Sequence, residues 1–355
     1  MFTKRIILLI AILGISLQGF SQLGGQSTYS FLELPYSARC AALGNNMVPI
    51  YDKDLTLAIN NPSLLNEDMN GKVNLTYSNY LADVNFGNAS FGHTFKNKIY
   101  SIASIRYINY GDFIEADEFG NIIGQFSAGE YALNFAAATA INANWTTGAG
   151  LKLIYSSFEQ YNSSGIATDY AISYHSDDML FTSSFLISNL GFQIKPYSPG
   201  NREPLPLNLQ LGLSKKFEHM PLRFIMVAHH LNKFNFAYVD PNKQIIRSFD
   251  GTTEEEDVAP FSEKLFRHFI FAGEFVLSEN LHFRVGYNHQ RRKELQLATR
   301  PGLAGYSWGF GIRISKFYLS YGNTIYHLAG GSHMFSVTIT PSEFLKKNKV
   351  DDKLQ

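Results

Sequence analysis

From Leu205 to Leu213 the chain reads L-P-L-N-L-Q-L-G-L: Leu205, Leu207, Leu209, Leu211 and Leu213 alternate with Pro206, Asn208, Gln210 and Gly212. Successive side chains of a strand point to opposite faces, so the leucines share one face and the polar or small residues the other. In a soluble sandwich a second sheet would cover the leucines. In a membrane barrel they would face lipid, and the polar face would look into the lumen. Alternating or aromatic-rich segments of about 10 to 15 residues, the length a tilted membrane strand needs, recur along the chain. The predicted strands are Val73–Ala82, Val84–Phe95, Lys98–Tyr110, Ala128–Ile141, Asn144–Phe158, Gly165–His175 and Met179–Leu190. They continue with Leu205–Phe217, Leu222–Lys233, Lys264–Leu277, Leu281–Arg291, Leu303–Ser315, Phe317–Tyr326 and His333–Thr340.

The connections decide between the two settings. Every second one is tight: Lys96-Asn97-Lys98, Asn142-Ala143-Asn144, Ser176-Asp177-Asp178, Glu218-His219-Met220, Ser278-Glu279-Asn280 and Ser315-Lys316. Those between are mostly longer, with Gly111–Ser127, Gly191–Pro204 and Phe234–Glu263 the extremes. Short periplasmic turns and long external loops are the habit of outer-membrane barrels, and an even strand number leaves both chain ends on the periplasmic side. Sandwich strands are nearer about 5 or 6 residues, and no solenoid repeat is present. The fold class expected is an all-β membrane protein, an antiparallel transmembrane barrel of about fourteen strands. Tyr77 with Tyr80, Tyr107 with Tyr110, and Tyr318 with Tyr321 sit near strand ends, where interfacial aromatics belong.

Composition changes this picture little. The 355 residues carry 30 basic and 30 acidic side chains, which leaves no field to draw nucleic acid. Mean hydropathy is −0.10, and nothing beyond the N-terminus approaches the roughly 18 apolar residues of a spanning helix. Met1 to Ser21 places Lys4 and Arg5 before the apolar run from Ile6 to Leu17, with small residues at Gly19 and Ser21; this is a signal peptide pattern, residues 1–21. Cys40 is the lone cysteine, so no internal disulfide forms, and its expected role is a small buried group. Residues 22–72 lack strand alternation and read as short helical turns and loops. Residues 73–341 hold the strands, and 342–355 form a short tail expected in the periplasm.

Candidate chemistry is sparse. Gly305-Tyr306-Ser307-Trp308-Gly309 matches the hydrolase nucleophile elbow, but that motif needs a sharp strand-to-helix turn. Here Ser307 lies within an alternating strand, with Gly305, Gly309 and Gly311 on its face, a surface suited to close contact with something filling the lumen. No catalytic residue is assigned. His229 and His230, and likewise His282 and His289, are expected on opposite strand faces, so no metal site is assigned. Glu254-Glu255-Glu256-Asp257 lacks the spacing of a calcium loop. No phosphate loop, dinucleotide fingerprint or haem motif is present, and no cofactor is expected.

Two stretches resemble a known family. Gly24-Gly25-Gln26-Ser27-Thr28-Tyr29, Phe31-Leu32, Leu34-Pro35, Ser37-Ala38-Arg39, Ala41-Ala42-Leu43-Gly44 and Asn60-Asn61-Pro62 resemble the start of the PorV/PorQ group of Bacteroidetes outer-membrane proteins, relatives of FadL-type barrels. Ser198 to Pro206, with Asp112 to Asn121, adds to the resemblance; Asn45 and Ser63 depart from it. It implies a fourteen-strand FadL-like barrel with residues 22–72 as an N-terminal plug, in which Arg39, Asn60, Asn61 and Pro62 are candidate gate residues. It further implies a non-enzymatic outer-membrane component of the type IX secretion system that docks PorZ, with PorU and PorV, at the surface. Outer-membrane lipid, lipopolysaccharide included, completes the implied partners. Asn201, Arg202, Glu203 and Pro204 are the candidate partner-contact loop. A transporter of hydrophobic small molecules is the alternative, since function resides in sites and not in the fold.

Overall fold

The structure, a computed structural model, describes residues 27–80, 83–234, 246–247, 253–254, 260–296, 302–327 and 330–345. The expected signal peptide, Glu255 to Asp257 and most of the Phe234–Glu263 loop lie outside the described residues, as does the tail beyond 345. Fourteen antiparallel strands close into a barrel in which the first strand pairs with the last. They are β1 (Val73–Asn79), β2 (Asn85–Phe95), β3 (Ile99–Ala116), β4 (Ile122–Ala140), β5 (Trp145–Phe158), β6 (Tyr161–His175) and β7 (Phe181–Lys195). The circuit continues through β8 (Asn208–Lys216), β9 (Leu222–Ala228), β10 (Phe269–Ser278), β11 (Leu281–Asn288), β12 (Tyr306–Ile314), β13 (Phe317–His327) and β14 (Gly330–Ile339). No helix among the described residues is long and apolar enough to cross a membrane; a barrel crosses with its strands.

The period of two is visible in β5. Leu151, Leu153 and Tyr155 point outward and are 40 to 50% exposed, while Lys152, Ile154 and Ser156 point inward and are buried. Inside the barrel lie α1 (Ala38–Ala42), α2 (Leu55–Asn60) and three short 3-10 turns at Ser30–Glu33, Pro62–Leu64 and Glu67–Met69. Ser37 caps α1 by accepting the Cys40 amide, and Asp54 caps α2 by accepting the Thr56 amide. Leu43, Met47, Val48, Ile50, Leu57 and Leu64 of this inner segment are sealed against Leu186, Ile225, Val227 and Ile270 of the wall. The hydrophobic core is thus the contact between an inner plug and the barrel's inward face, and Cys40 is buried within it.

Several boundaries differ from the sequence reading. The expected loop Gly111–Ser127 is mostly strand: Gly111 at φ 89° inserts a bulge, after which Asp112 pairs with Ser127 and the ladder runs on to Ala116 and Ile122. β6 begins at Tyr161, so only Glu159-Gln160 joins it to β5, and the expected alternation of tight and long connections fails there. β8 begins at Asn208; Leu205 is not on the lipid-facing strand but packs inside with Tyr29 and Phe31. β9 ends at Ala228 because His230 takes φ 54°, and the two histidine Nδ1 atoms then stand 2.6 Å apart instead of on opposite faces. Residues Phe261–Phe266 form α3, ahead of β10, and His289–Leu295 form α4, so His289 is not on the strand of His282.

Candidate functional site

The site is the interface between plug and wall, and its shape follows from the smallest residues. Ala38, Ala41 and Ala42 give α1 a flat face, and the wall opposite it is glycine. A Cβ on Gly322 would lie 2.2 Å from the Ala38 carbonyl oxygen, one on Gly309 2.6 Å from Ala42 Cβ, and one on Gly286 2.3 Å from the Leu43 carbonyl carbon. Backbone lies on backbone, which only glycine permits. Ser307 belongs to this seat: its Oγ donates to the Ala42 carbonyl at 3.0 Å, and it is enclosed in β12 with no strand-to-helix turn beside it. Of the glycine face read from the sequence, Ser307 and Gly309 receive the plug, whereas Gly311 lies against Arg284 and Tyr318 of the wall and Gly305 against Arg292.

At the tight-turn end, Arg39 of α1 reaches into a charge network drawn from plug and wall. Its Nη2 lies 2.7 Å from Asp52 and 2.8 Å from Glu274 on β10, and its Nη1 lies 3.1 Å from Asp54. Arg223 of β9 binds Glu274 at 2.7 Å and Asp52 at 3.2 Å, and Nε of Arg284 on β11 binds the other Glu274 oxygen at 2.8 Å. Three guanidiniums balance three carboxylates, so the cluster carries no net charge. Burial would by itself push the Asp52 carboxyl up, but the facing Arg39 and Arg223 outweigh it and hold the group at about 2. A cavity of 530 Å³ opens beside this cluster, lined by Arg39, Lys72, Lys216, Arg223, Glu274 and Arg313 among others.

At the loop end the plug is held differently. Arg106 on β3 donates to the carbonyls of Phe31, Leu32, Leu34 and Pro35 at 2.7 to 3.2 Å, and its guanidinium stacks 3.7 Å from the Tyr36 ring. Glu33 meets His230 Nε2 at 2.9 Å, and the Thr28 amide donates to the Pro204 carbonyl at 3.0 Å. Around this segment an apolar patch of the wall's inward face, Phe86, Ile108, Ala132, Ile154, Ala167 and Met334, packs on Tyr29, Phe31 and Leu32, and buried Ser163 bonds the Tyr29 hydroxyl beside it. A second cavity, of 470 Å³, lies at this mouth between Glu33, Asn45, Tyr80, His230, Arg291 and Tyr326.

The sequence-derived candidates are scattered over this interface. Arg39 is central to the charge network. Asn61 is fully buried; its Nδ2 donates to the Val48 carbonyl and its Oδ1 accepts from Ser63. Pro62 presses on Gly148 of β5, where a Cβ would lie 2.6 Å from the proline carbonyl carbon, and Asn60 is buried at the end of α2. Asn201 and Arg202 are exposed, whereas the Glu203 amide donates to Gln193 and the Pro204 carbonyl takes the plug's Thr28. Sequence reasoning missed Arg106, Arg223, Glu274 and Arg284. Their signal was a lone charge among apolar strand neighbours, as in Ile105-Arg106-Tyr107 and Phe283-Arg284-Val285, which only an inward face tolerates. Among the described residues no group of three or more His, Cys, Asp or Glu side chains is arranged to hold a metal.

No protein-family model matches the sequence, and no curated protein matches it. Among solved structures, the Ralstonia pickettii toluene transporter TbuX superposes with a TM-score of 0.50 at 10% identity, covering 87% of this chain and 98% of that one. The fold is FadL-like. The Pseudomonas putida toluene transporter TodX gives 0.47 at 12% identity over 85% of this chain and 96% of its own. A Pseudomonas aeruginosa FadL homologue gives 0.48 at 11% over 85% and 97%. A FadL-like barrel is typical of outer-membrane proteins, and what is shared at these identities is the fold.

Proposed function

We propose that this chain is an outer-membrane passage protein for small hydrophobic molecules, with the long-loop end outside, both termini in the periplasm and residues 27–72 as its gate. The observation that carries the reading is the apolar patch on the inward wall at the loop end. A porin lumen is polar, yet here Phe86, Ile108, Ile154 and Met334 face inward and are covered by Tyr29, Phe31 and Leu32. A hydrophobic molecule that displaced this segment would find a site already lined for it. One solved barrel that shares the fold, TbuX, is a toluene transporter, and Arg39, Asn61 and Pro62 would act as fixed points of the plug.

The test is uptake of labelled toluene or a longer alkane by intact cells whose own hydrocarbon transporters are deleted. Expression of this chain is expected to raise uptake several-fold. Uptake equal to that of cells carrying an empty vector would sink the reading.

A second reading, a non-enzymatic docking component of the type IX secretion system, is favoured by one feature. The hairpin of β3 and β4 continues past the bulge and displays Ile114, Phe119, Ile122 and Ile123 at 62 to 82% exposure, in the stretch from Asp112 to Asn121 that resembles the PorV/PorQ group. On this reading the hairpin tip and Asn201, Arg202, Glu203 and Pro204 contact PorZ, with PorU, PorV and lipopolysaccharide nearby. Affinity capture of PorZ by the full chain, lost when Phe119 and Ile122 become serine, supports it; capture unaffected by those changes removes it.

A further inference from the structure

Polar side chains facing the lumen are satisfied unevenly. Where β14 meets β1, Thr76 Oγ1 bonds to Asn74 and Ser336, Ser78 bonds to Ser332, and Ser336 Oγ accepts the plug's Ala38 amide. On the next strands the ladder breaks. Register sets Asn88 beside Arg106, Ser90 beside Ser104, and Ser104 beside Asn134, so these inward residues form one patch across β2, β3 and β4. Each is at most 8% exposed. Yet Asn88 has a protein partner for neither Oδ1 nor Nδ2, Ser90 none for Oγ, Asn134 none for Oδ1 and Arg106 none for Nε. The contact between Asn134 Nδ2 and Ser104 is long, at 3.5 Å.

The patch is roofed on three sides. α2 packs over β1, β2 and β3. Towards the tight turns, Gly92 closes against Met69 and Leu55, a Cβ there lying 2.4 Å from the Met69 carbonyl oxygen. Towards the loops, Arg106 and the Tyr36 ring close it. A buried amide bonded at neither end is costly, and protein interiors answer such groups with ordered water where the surroundings are polar. Donors and acceptors stand side by side here, no carboxylate among the patch residues draws a cation, and the Arg106 guanidinium is already engaged by four carbonyls, so the guest that fits is neutral and small, able to give and take hydrogen bonds at once.

We propose that Asn88, Ser90 and Asn134, with Arg106 Nε, form a buried hydration site that holds a water cluster between the plug and β2–β4. This facet of the plug is wet, whereas the α1 facet is dry backbone on glycine. The site is independent of what the barrel conducts.

X-ray radiolytic labelling of the folded full chain in lipid tests it, because water held in place generates hydroxyl radicals where it sits. Tyr36 borders the site; Phe31, buried in the apolar cluster, is the control. After correction for intrinsic reactivity, Tyr36 is expected to be modified several-fold faster than Phe31, and Asn88→Leu with Asn134→Leu to bring the two rates together. Equal rates in the unaltered chain overturn the proposal. So does an undiminished Tyr36 rate in the double variant that still shows the gel shift of a folded barrel, since the label would then come from bulk solvent. Should the double variant not fold, Asn88→Leu alone serves the same comparison.

Discussion

Arg106 is the residue on which the plug's loop end hangs. A single guanidinium donates to four carbonyls of the plug, those of Phe31, Leu32, Leu34 and Pro35. Arg106→Met keeps much of the bulk but strips the Leu34 and Pro35 carbonyls of this donor and weakens the hold on the other two, and is expected to destabilise the folded barrel by about 3 kcal/mol. Limited proteolysis between residues 27 and 36 checks it: cleavage should rise in the variant while the barrel stays intact. Glu274 plays the complementary part at the other end. Removing its charge by Glu274→Gln leaves Arg39, Arg223 and Arg284 facing only Asp52 and Asp54, a loss of about 3–5 kcal/mol measurable in denaturant titration. Asp52 makes the cluster acid-sensitive. Its carboxyl is held at about 2 in the folded chain against about 3.9 when unfolded. The stabilisation is therefore complete above the unfolded value and lost as pH falls from about 4 towards about 2. Asp52→Asn should flatten that part of the stability profile. None of these partnerships is legible in sequence, because Arg39 and Glu274 lie 235 positions apart and only barrel closure brings them together.

At the scale of elements, the glycines of β11, β12 and β13 form a seat for α1. Gly286→Val would drive a side chain into the plug backbone and is expected to cost yield of folded barrel or expel the plug, read as a loss of heat-resistant gel mobility. Gly330→Ala, with nothing within 4 Å of the added Cβ, is the matched control and should behave as the unaltered chain. The glycine face was legible because alternation alone puts Ser307, Gly309 and Gly311 together; that α1 covers Ser307 and Gly309 was not, since α1 comes from the other end of the chain. The Leu205–Leu213 pattern shows the same division. Leu209, Leu211 and Leu213 do face outward on β8, while Leu205, in step with them in sequence, turns inward where the strand has not yet begun. A Pro at 206, unable to donate to a ladder, marks that boundary.

For the whole molecule, the decisive question is whether plug and wall must separate. Ser63 on the plug and Ser173 on β6 bring their hydroxyls within 2.6 Å of each other, close enough that cysteines at both positions could form a disulfide. If the plug is a gate, Ser63→Cys with Ser173→Cys abolishes uptake when oxidised and regains it under reductant; unchanged uptake in the cross-linked barrel excludes plug displacement at that contact. The sequence by itself determined the architecture of the wall. A period of two, strand length and tight turns are local properties, and a barrel needs little else to specify strand number and inward face. What only the tertiary structure decided is how the lumen is filled. The three-by-three charge cluster, the grip of Arg106 and the glycine seat each join plug residues to wall residues far along the chain, and closure of β1 on β14 around the plug is what sets them face to face.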